Sequence, residues 1–155
     1  MEGSKIFVCE IGIDDVFSRM KDKSYYIGES LKSDPKYIEL AAKLQASDDE
    51  NPILCDFMSN SVTIISNILS SLIGETSYEK TDETILLTIR AKSNTPDYVE
   101  NQLVDYITNY MSIYILTQWL DLINPNSSKT FEDSLLKLEN EIRILSSRRT
   151  KPERP

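Results

Sequence analysis

The first clear pattern along the chain is a run of β-branched and aromatic residues, Lys5-Ile6-Phe7-Val8-Cys9-Glu10-Ile11, closed by Gly12. It predicts a short strand over residues 5–11. Asp14 or Asp15 then caps a helix to about Lys32, with Val16, Met20, Tyr26 or Ile27, and Leu31 as its apolar stripe. Gly28 weakens its last turn, since a glycine costs about 1 kcal/mol relative to alanine inside a helix. Asp34-Pro35 opens a short helix carrying Tyr37, Ile38, Leu40, Ala41 and Leu44, which ends in the acidic linker Ser47-Asp48-Asp49-Glu50. Asn51-Pro52 repeats the start signal. The helix behind it sets Leu54, Phe57 or Met58, Ile65, Leu69 and Leu72 at helical spacing, and Gly74 stops it.

The period changes at Thr84. From there Ile85, Leu87 and Ile89 alternate with Thr84, Leu86, Thr88 and Arg90, which predicts a strand. Residues 75–82 are polar and read as a loop or a preceding edge strand. A hairpin between them, or pairing with residues 5–11, are both open. Thr95-Pro96-Asp97 is a third cap-and-proline start. The helix from Pro96 to about Ile123 is apolar on two sides: Val99, Leu103, Ile107, Tyr110, Tyr114 and Thr117 on one, and Val104, Met111, Ile115, Trp119 and Leu122 on another. Such a helix is central, or is buried between the core and a second surface. Asn124-Pro125 ends it. Thr130-Phe131-Glu132-Asp133 resembles a capping box with Asp in place of Glu. Phe131, Leu135, Leu138, Ile142 and Leu145 then form a narrow seam.

The fold class expected from this order is mainly α with a small β element (α+β). It is a bundle of about four to five helices with one or two short strands or a hairpin. Residues 1–147 form a single domain, and 148–155 an extended basic arm punctuated by proline.

Composition narrows the chemistry. The chain of 155 residues has no histidine, two cysteines, four glycines and a net charge of −8. Without histidine there is no His-based zinc site, no Ser-His-Asp or Cys-His nucleophile pair and no histidine pH switch. Two cysteines make neither a disulfide framework nor a four-thiolate zinc site, and Cys9 and Cys55 read as buried free thiols. A net acidic chain is not a general nucleic-acid binder. The N-terminus lacks the basic and apolar regions of a signal peptide. The apolar stretch 62–73, at about 12 residues, is too short to span a bilayer. Asp14-Asp15 reads as a helix cap and Asp48-Asp49-Glu50 as a solvated turn, since neither has the ligand spacing of a calcium loop. Tyr98, Tyr106, Tyr110 and Tyr114 crowd one helix with Trp119, yet residues 97–123 hold no Lys or Arg. Packing and protein contact therefore suit them better than base stacking. No cofactor, metal site or catalytic set is expected.

The charge is unevenly spread. Residues 142–155 hold five bases against Glu153, a net +4, which leaves −12 on residues 1–141 of the total −8. The basic end is either a solvated terminus favoured by a helix dipole, or an arm that docks on an acidic partner or neighbouring subunit.

Several segments taken in order carry a resemblance. Gly12-Ile13-Asp14-Asp15-Val16-Phe17 is followed by Tyr26-Ile27-Gly28, the acidic linker 48–50 and the strand Thr84-Ile85-Leu86-Leu87-Thr88-Ile89. The long helix with Leu103-Val104-Asp105-Tyr106-Ile107 and Ile115-Leu116-Thr117-Gln118-Trp119-Leu120 comes next, then the seamed helix and the tail Arg148-Arg149-Thr150-Lys151-Pro152-Glu153-Arg154-Pro155. This order resembles the head–tail connector (adaptor, neck ring) proteins of tailed bacteriophages, of the kind seen in Bacteroides-type phages. The resemblance implies a structural virion protein in the neck, made in the host cytoplasm, with no enzymatic activity and no membrane. Copies would form a homo-oligomeric ring, usually of twelve. The ring would join the portal protein to downstream neck or tail proteins and let DNA pass through its lumen without specific binding. It also implies that Leu138, Ile142, Leu145, Arg148, Arg149, Lys151 and Arg154 form a portal- or neighbour-docking arm. Tyr106, Tyr110, Tyr114 and Trp119 would serve the core and the subunit interface. Asp48, Asp49 and Glu50, or Glu75, Glu79, Asp82 and Glu83, would face the lumen and repel DNA. The alternative reading is a small acidic monomer that regulates or inhibits a basic host or phage protein.

Overall fold

The protein was analysed as a computed structural model, which describes residues 4–30, 52–123 and 125–150, with side chains over 4–23, 52–122 and 131–150. The helix expected after Pro35 and the acidic linker lie outside the described residues, as do Leu31, Lys151 and Arg154. The elements in chain order are β1 (Ser4–Gly12), α1 (Ile13–Ser30), α2 (Pro52–Leu72), β2 (Thr76–Lys80), β3 (Thr84–Lys92), α3 (Tyr98–Ile123) and α4 (Pro125–Ser146). Among the described residues four helices thus accompany one three-stranded antiparallel sheet, an α+β fold.

Both pairings left open for the strands occur together. β3 is the middle strand, with β1 on one side (Phe7 opposite Ile89) and β2 on the other (Tyr78 opposite Leu87). The alternation of side chains then sorts the sheet into two faces. Phe7, Cys9 and Ile11 of β1 and Ile85, Leu87, Ile89 and Ala91 of β3 are buried against the helices. The sequence pattern of β3 is met as expected, and its alternate residues Thr88 and Arg90 are exposed.

α3 is the centre of the molecule. α1, α2, α4 and β1 all pack on it. Val99, Leu103, Ile107, Met111, Ile115 and Leu116 are fully buried, in keeping with a helix apolar on two sides. Its buried hydroxyls are satisfied within the helix: Thr108 donates to the Val104 carbonyl at 2.6 Å, Ser112 to Asn109 at 2.8 Å and Thr117 to Ile113 at 2.7 Å. These bonds let the three hydroxyls enter a dry interior paired, whereas the buried Trp119 Nε1 of the same helix has no partner among the described residues. Arg19 of α1 ties that helix to α3 through Asp105 at 3.0 Å and Asn109 at 2.7 Å.

Three helix starts differ from the sequence reading. Asp14 and Asp15 lie in the first turn of α1, where carboxylates favour the positive end of the helix. The α1 backbone instead begins with the Ile13 N–H donating to the Glu83 carbonyl at 3.0 Å. α3 begins at Tyr98 after a tight turn through Pro96 and Asp97, and the buried Thr95 hydroxyl has no hydrogen-bond partner among the described residues. α4 begins at Pro125, so residues 130–133 sit inside a helix and are not a capping box. The Asn-Pro pair that ends α3 also starts α4, by the logic that starts α2 at Pro52.

α2 carries a single buried side: Leu54, Met58, Val62, Ile65 and Leu69. By length and composition the whole helix, unlike the stretch 62–73 alone, is long and apolar enough to cross a membrane. Its buried side is, however, committed to this core. Gly74 follows it with φ +156° and passes directly over β3. A Cβ there would overlap the Arg90 carbonyl oxygen. The backbone is pinned on both flanks, with Arg90 N–H donating to Glu75 at 2.8 Å and Lys92 N–H to Ile73 at 3.3 Å. Gly74→Ala is therefore expected to lower stability by about 3 kcal/mol in urea denaturation, through backbone overlap and strain.

Two core groups give a pH dependence. Burial, and then the Glu100 carboxylate, pushes the Cys9 thiol up to about 12 from 9.0. Burial, and then Glu139 and Tyr114, pushes the Tyr110 hydroxyl up to about 12 from 10.0, against a smaller opposing effect of Arg143. Both groups ionise more readily in the unfolded chain. Their contribution is intact below about pH 9 and is lost as pH rises towards about 12. Urea denaturation across about pH 8 to 11 should show stability falling with pH, and Cys9→Ala should flatten the part that begins near 9.

Candidate interaction surface

The inner face of the sheet is covered by helices, and the outer face is bare. The register lines its outward residues into rows. Val8, Thr88 and Ser77 form the central row. On one side of it lie Ile6 and Arg90, with Lys92 beyond. On the other lie Glu10, Leu86 and Glu79. Ile6 is 55% and Val8 50% exposed, so the face presents apolar side chains to water between an end with Arg90, Lys92 and Glu75 and an end with Glu10 and Glu79. A shallow depression of about 110 Å³ is bounded by Ile6, Glu75, Ser77, Thr88 and Arg90. Arg90 forms no ion pair among the described residues.

Each edge of the sheet has one backbone donor held from within the fold. Val8 N–H of β1 donates to Glu100 Oε2 of α3 at 2.8 Å, and Lys5 Nζ meets Asp97 Oδ1 at 2.7 Å. On β2, Thr76 N–H donates to Ser70 Oγ of α2 at 3.2 Å. Edge donors held in this way are unavailable to an incoming strand.

A second bare surface lies on α4. Its seam behaves as expected: Phe131, Leu135 and Leu138 are half-buried, and Ile142 and Leu145 are buried. The opposite side carries Leu136 at 60% and Ile144 at 62% exposure. Glu132 and Asp133 stand on this outer side about a third of the way along the helix, and Arg143 near its end. Arg143 meets Glu139 at 3.0 Å one turn away. The sheet and α4 pack mainly on the helices between them, α3 and α2, so the two bare surfaces look in different directions.

The described part of the C-terminal segment folds back on its own chain. Arg149 Nη2 donates to the Leu72 carbonyl at 2.5 Å, and Nη1 donates to the Ser146 and Arg148 carbonyls at 2.8 and 2.7 Å. One guanidinium thus satisfies carbonyls at the C-termini of both α2 and α4, where the helix dipoles favour a cation. Thr150 N–H donates to Asn94 O at 2.6 Å. Arg148 is exposed and donates to the Tyr98 hydroxyl at 3.3 Å, which raises its pKa further.

These positions redistribute the arm expected from the sequence. Leu138, Ile142 and Leu145 face the protein's own core, and Arg149 clamps two helix ends. Arg148 alone of the described arm residues presents its charge to solvent. Of the aromatic set, Tyr110 and Trp119 are buried, while Tyr106 and Tyr114 are half-buried against the core. Tyr110 and Tyr114 stack with ring centroids 6.1 Å apart. No family model, curated protein or solved structure matches the chain.

The bare-face residues were not singled out by sequence. Ile6 and Val8 share strand parity with Ser4 and Glu10, a signal that they point away from the core. Leu136 and Ile144 fall off the seam that ends at Leu145. The clamp by Arg149 has a sequence signal only in its helix-end position, since its other partner is 77 residues away. Arg149→Met keeps the apolar stem and removes the donors. It should lower stability by about 1–3 kcal/mol, whereas Arg148→Ala should change it by less than about 0.5 kcal/mol, both read by thermal or urea unfolding.

Proposed function

We propose that this protein is a structural assembly subunit, and that the assembly is the connector ring that joins portal to tail in a tailed bacteriophage. The observation that carries the assembly reading is the pair of bare apolar surfaces, one on the sheet and one on α4, looking in different directions. A ring of identical subunits needs two different contact surfaces per subunit, one to give and one to receive. The phage connector as the specific ring is supported by the order of segments in the sequence. Burial keeps the Cys9 thiol protonated at neutral pH. Among the described residues no group of three acidic or cysteine side chains is placed to hold a metal ion.

The portal contact in this reading falls to Arg148 with Lys151 and Arg154, because Arg149 is engaged within the chain. Truncation after Thr150 removes Lys151 and Arg154 and leaves the Arg149 and Thr150 bonds in place. Sedimentation velocity of the full chain, alone and with portal protein, should show multimers of the 17.8 kDa subunit. The truncated chain should keep its thermal midpoint and lose portal attachment at least about tenfold. Undiminished attachment removes the arm assignment. A chain that stays monomeric throughout, and binds a basic protein in a salt-sensitive way, favours the acidic regulator instead.

A further inference from the structure

We infer that the bare outer face of the sheet receives the outer side of α4 from a second copy of this chain. The inference rests on the assembly reading and names its contact.

The apolar positions match in spacing. Leu136 and Ile144 are eight residues apart and stand about 12 Å apart along α4. On the sheet, the row of Ile6 and the row of Leu86 are separated by four residues, about 14 Å along the strands. Val8 lies between them. A helix laid along the strands brings both of its exposed apolar side chains over this strip.

Charge fixes the direction. The outer side of α4 carries Glu132 and Asp133 about a third of the way along, Lys137 one turn further, and Arg143 near its end. The sheet face carries Arg90 and Lys92 where β3 ends, with the exposed Glu75 beside Arg90. It is acidic where β3 begins, with Glu10 and Glu79 flanking Leu86. With α4 antiparallel to β3, Asp133 falls on Arg90 and Arg143 falls between Glu10 and Glu79. Asp133 and Arg143 are about 15 Å apart along the helix, close to the row separation on the sheet. The reverse direction sets like charges against each other. Arg90 has no ion-pair partner of its own among the described residues. The pair Arg143 already makes, with Glu139 at 3.0 Å, is a partly exposed contact within one helix turn that is readily exchanged.

Each copy gives a helix side and receives one, so the contact runs head to tail and closes a ring where the rotation permits. Strand addition at β1 or β2 would have to displace the bond that Val8 N–H makes to Glu100 or that Thr76 N–H makes to Ser70.

Two full-length variants test this. Ile6→Glu with Val8→Glu blocks the sheet face, and Leu136→Glu with Ile144→Glu blocks the helix side. All four positions are at least half exposed, and circular dichroism melting checks that both variants fold. By sedimentation equilibrium the unmodified chain should self-associate, each variant should associate at least about tenfold more weakly, and an equimolar mixture should form a one-to-one dimer and nothing larger. A helix-blocked variant that associates like the unmodified chain points to a two-fold sheet-on-sheet contact. It overturns this inference and leaves the assembly reading standing, as does undiminished association of both variants. An unmodified chain that stays monomeric at every concentration overturns both. Should an apolar variant misfold, Arg90→Glu and Asp133→Arg each weaken association and together restore it. Failure of that restoration also overturns the contact.

Discussion

α3 lies with buried side chains around most of its axis, one of which, Trp119, keeps its Nε1 without a partner among the described residues, so the helix depends on its inward hydroxyls being satisfied there. Thr108, Ser112 and Thr117 meet this condition by donating to carbonyls of their own helix. Each fully buried Leu or Ile of α3 stabilises the fold by about 1.5–3 kcal/mol, so the dozen or so positions turned inward dominate its stability. The other elements are arranged by what α3 needs covered. α1 is tied on by Arg19, β1 by Glu100, and α4 returns along it directly from Pro125.

Covering a central helix with single layers leaves each layer a second face. The sheet is one strand deep, so Phe7, Cys9 and Ile11 turn inward and Ile6, Val8 and Glu10 must turn out. α4 buries only a seam, so Leu136 and Ile144 must also turn out. The edges of the sheet, which are the usual hazard, are held by Glu100 and Ser70. What stays open is flat, partly apolar and polarised in charge. That combination favours docking of a defined partner in a defined direction over indiscriminate strand pairing. The same economy appears at Arg149, where one side chain closes two helix ends and so joins the last helix to one that ends at Leu72.

Much of this was legible in the sequence because it depends on local period. The strand of 84–90, the helix opened at Pro52 and the seam of α4 follow from side chains repeating every two or about every 3.5 residues, and the strand of 5–11 from its β-branched and aromatic run. The cap assignments at Asp14–Asp15, Thr95 and Thr130 were not met, because the backbone donors there found other partners or the helix had already begun. The pairing of β1 and β2 on either side of β3 was undetermined by pattern, since both options satisfy the same alternation. The surfaces were least legible. An exposed Ile6 and a buried Phe7 differ in the sequence only by parity, and the roles of Arg148 and Arg149 differ only through Leu72, far away in the chain.

We propose that two bare faces of this fold, sheet and α4, meet between copies. Zero-length carbodiimide cross-linking of an equal mixture of unlabelled and nitrogen-15-labelled protein, read by mass spectrometry, tests the contact at the level of residue pairs. Mixed-isotope links are expected to join Lys92 of one copy to Glu132 or Asp133 of another. Mixed links from Lys92 to Glu10 or Glu79 alone, or no mixed links from Lys92 at all, would contradict it.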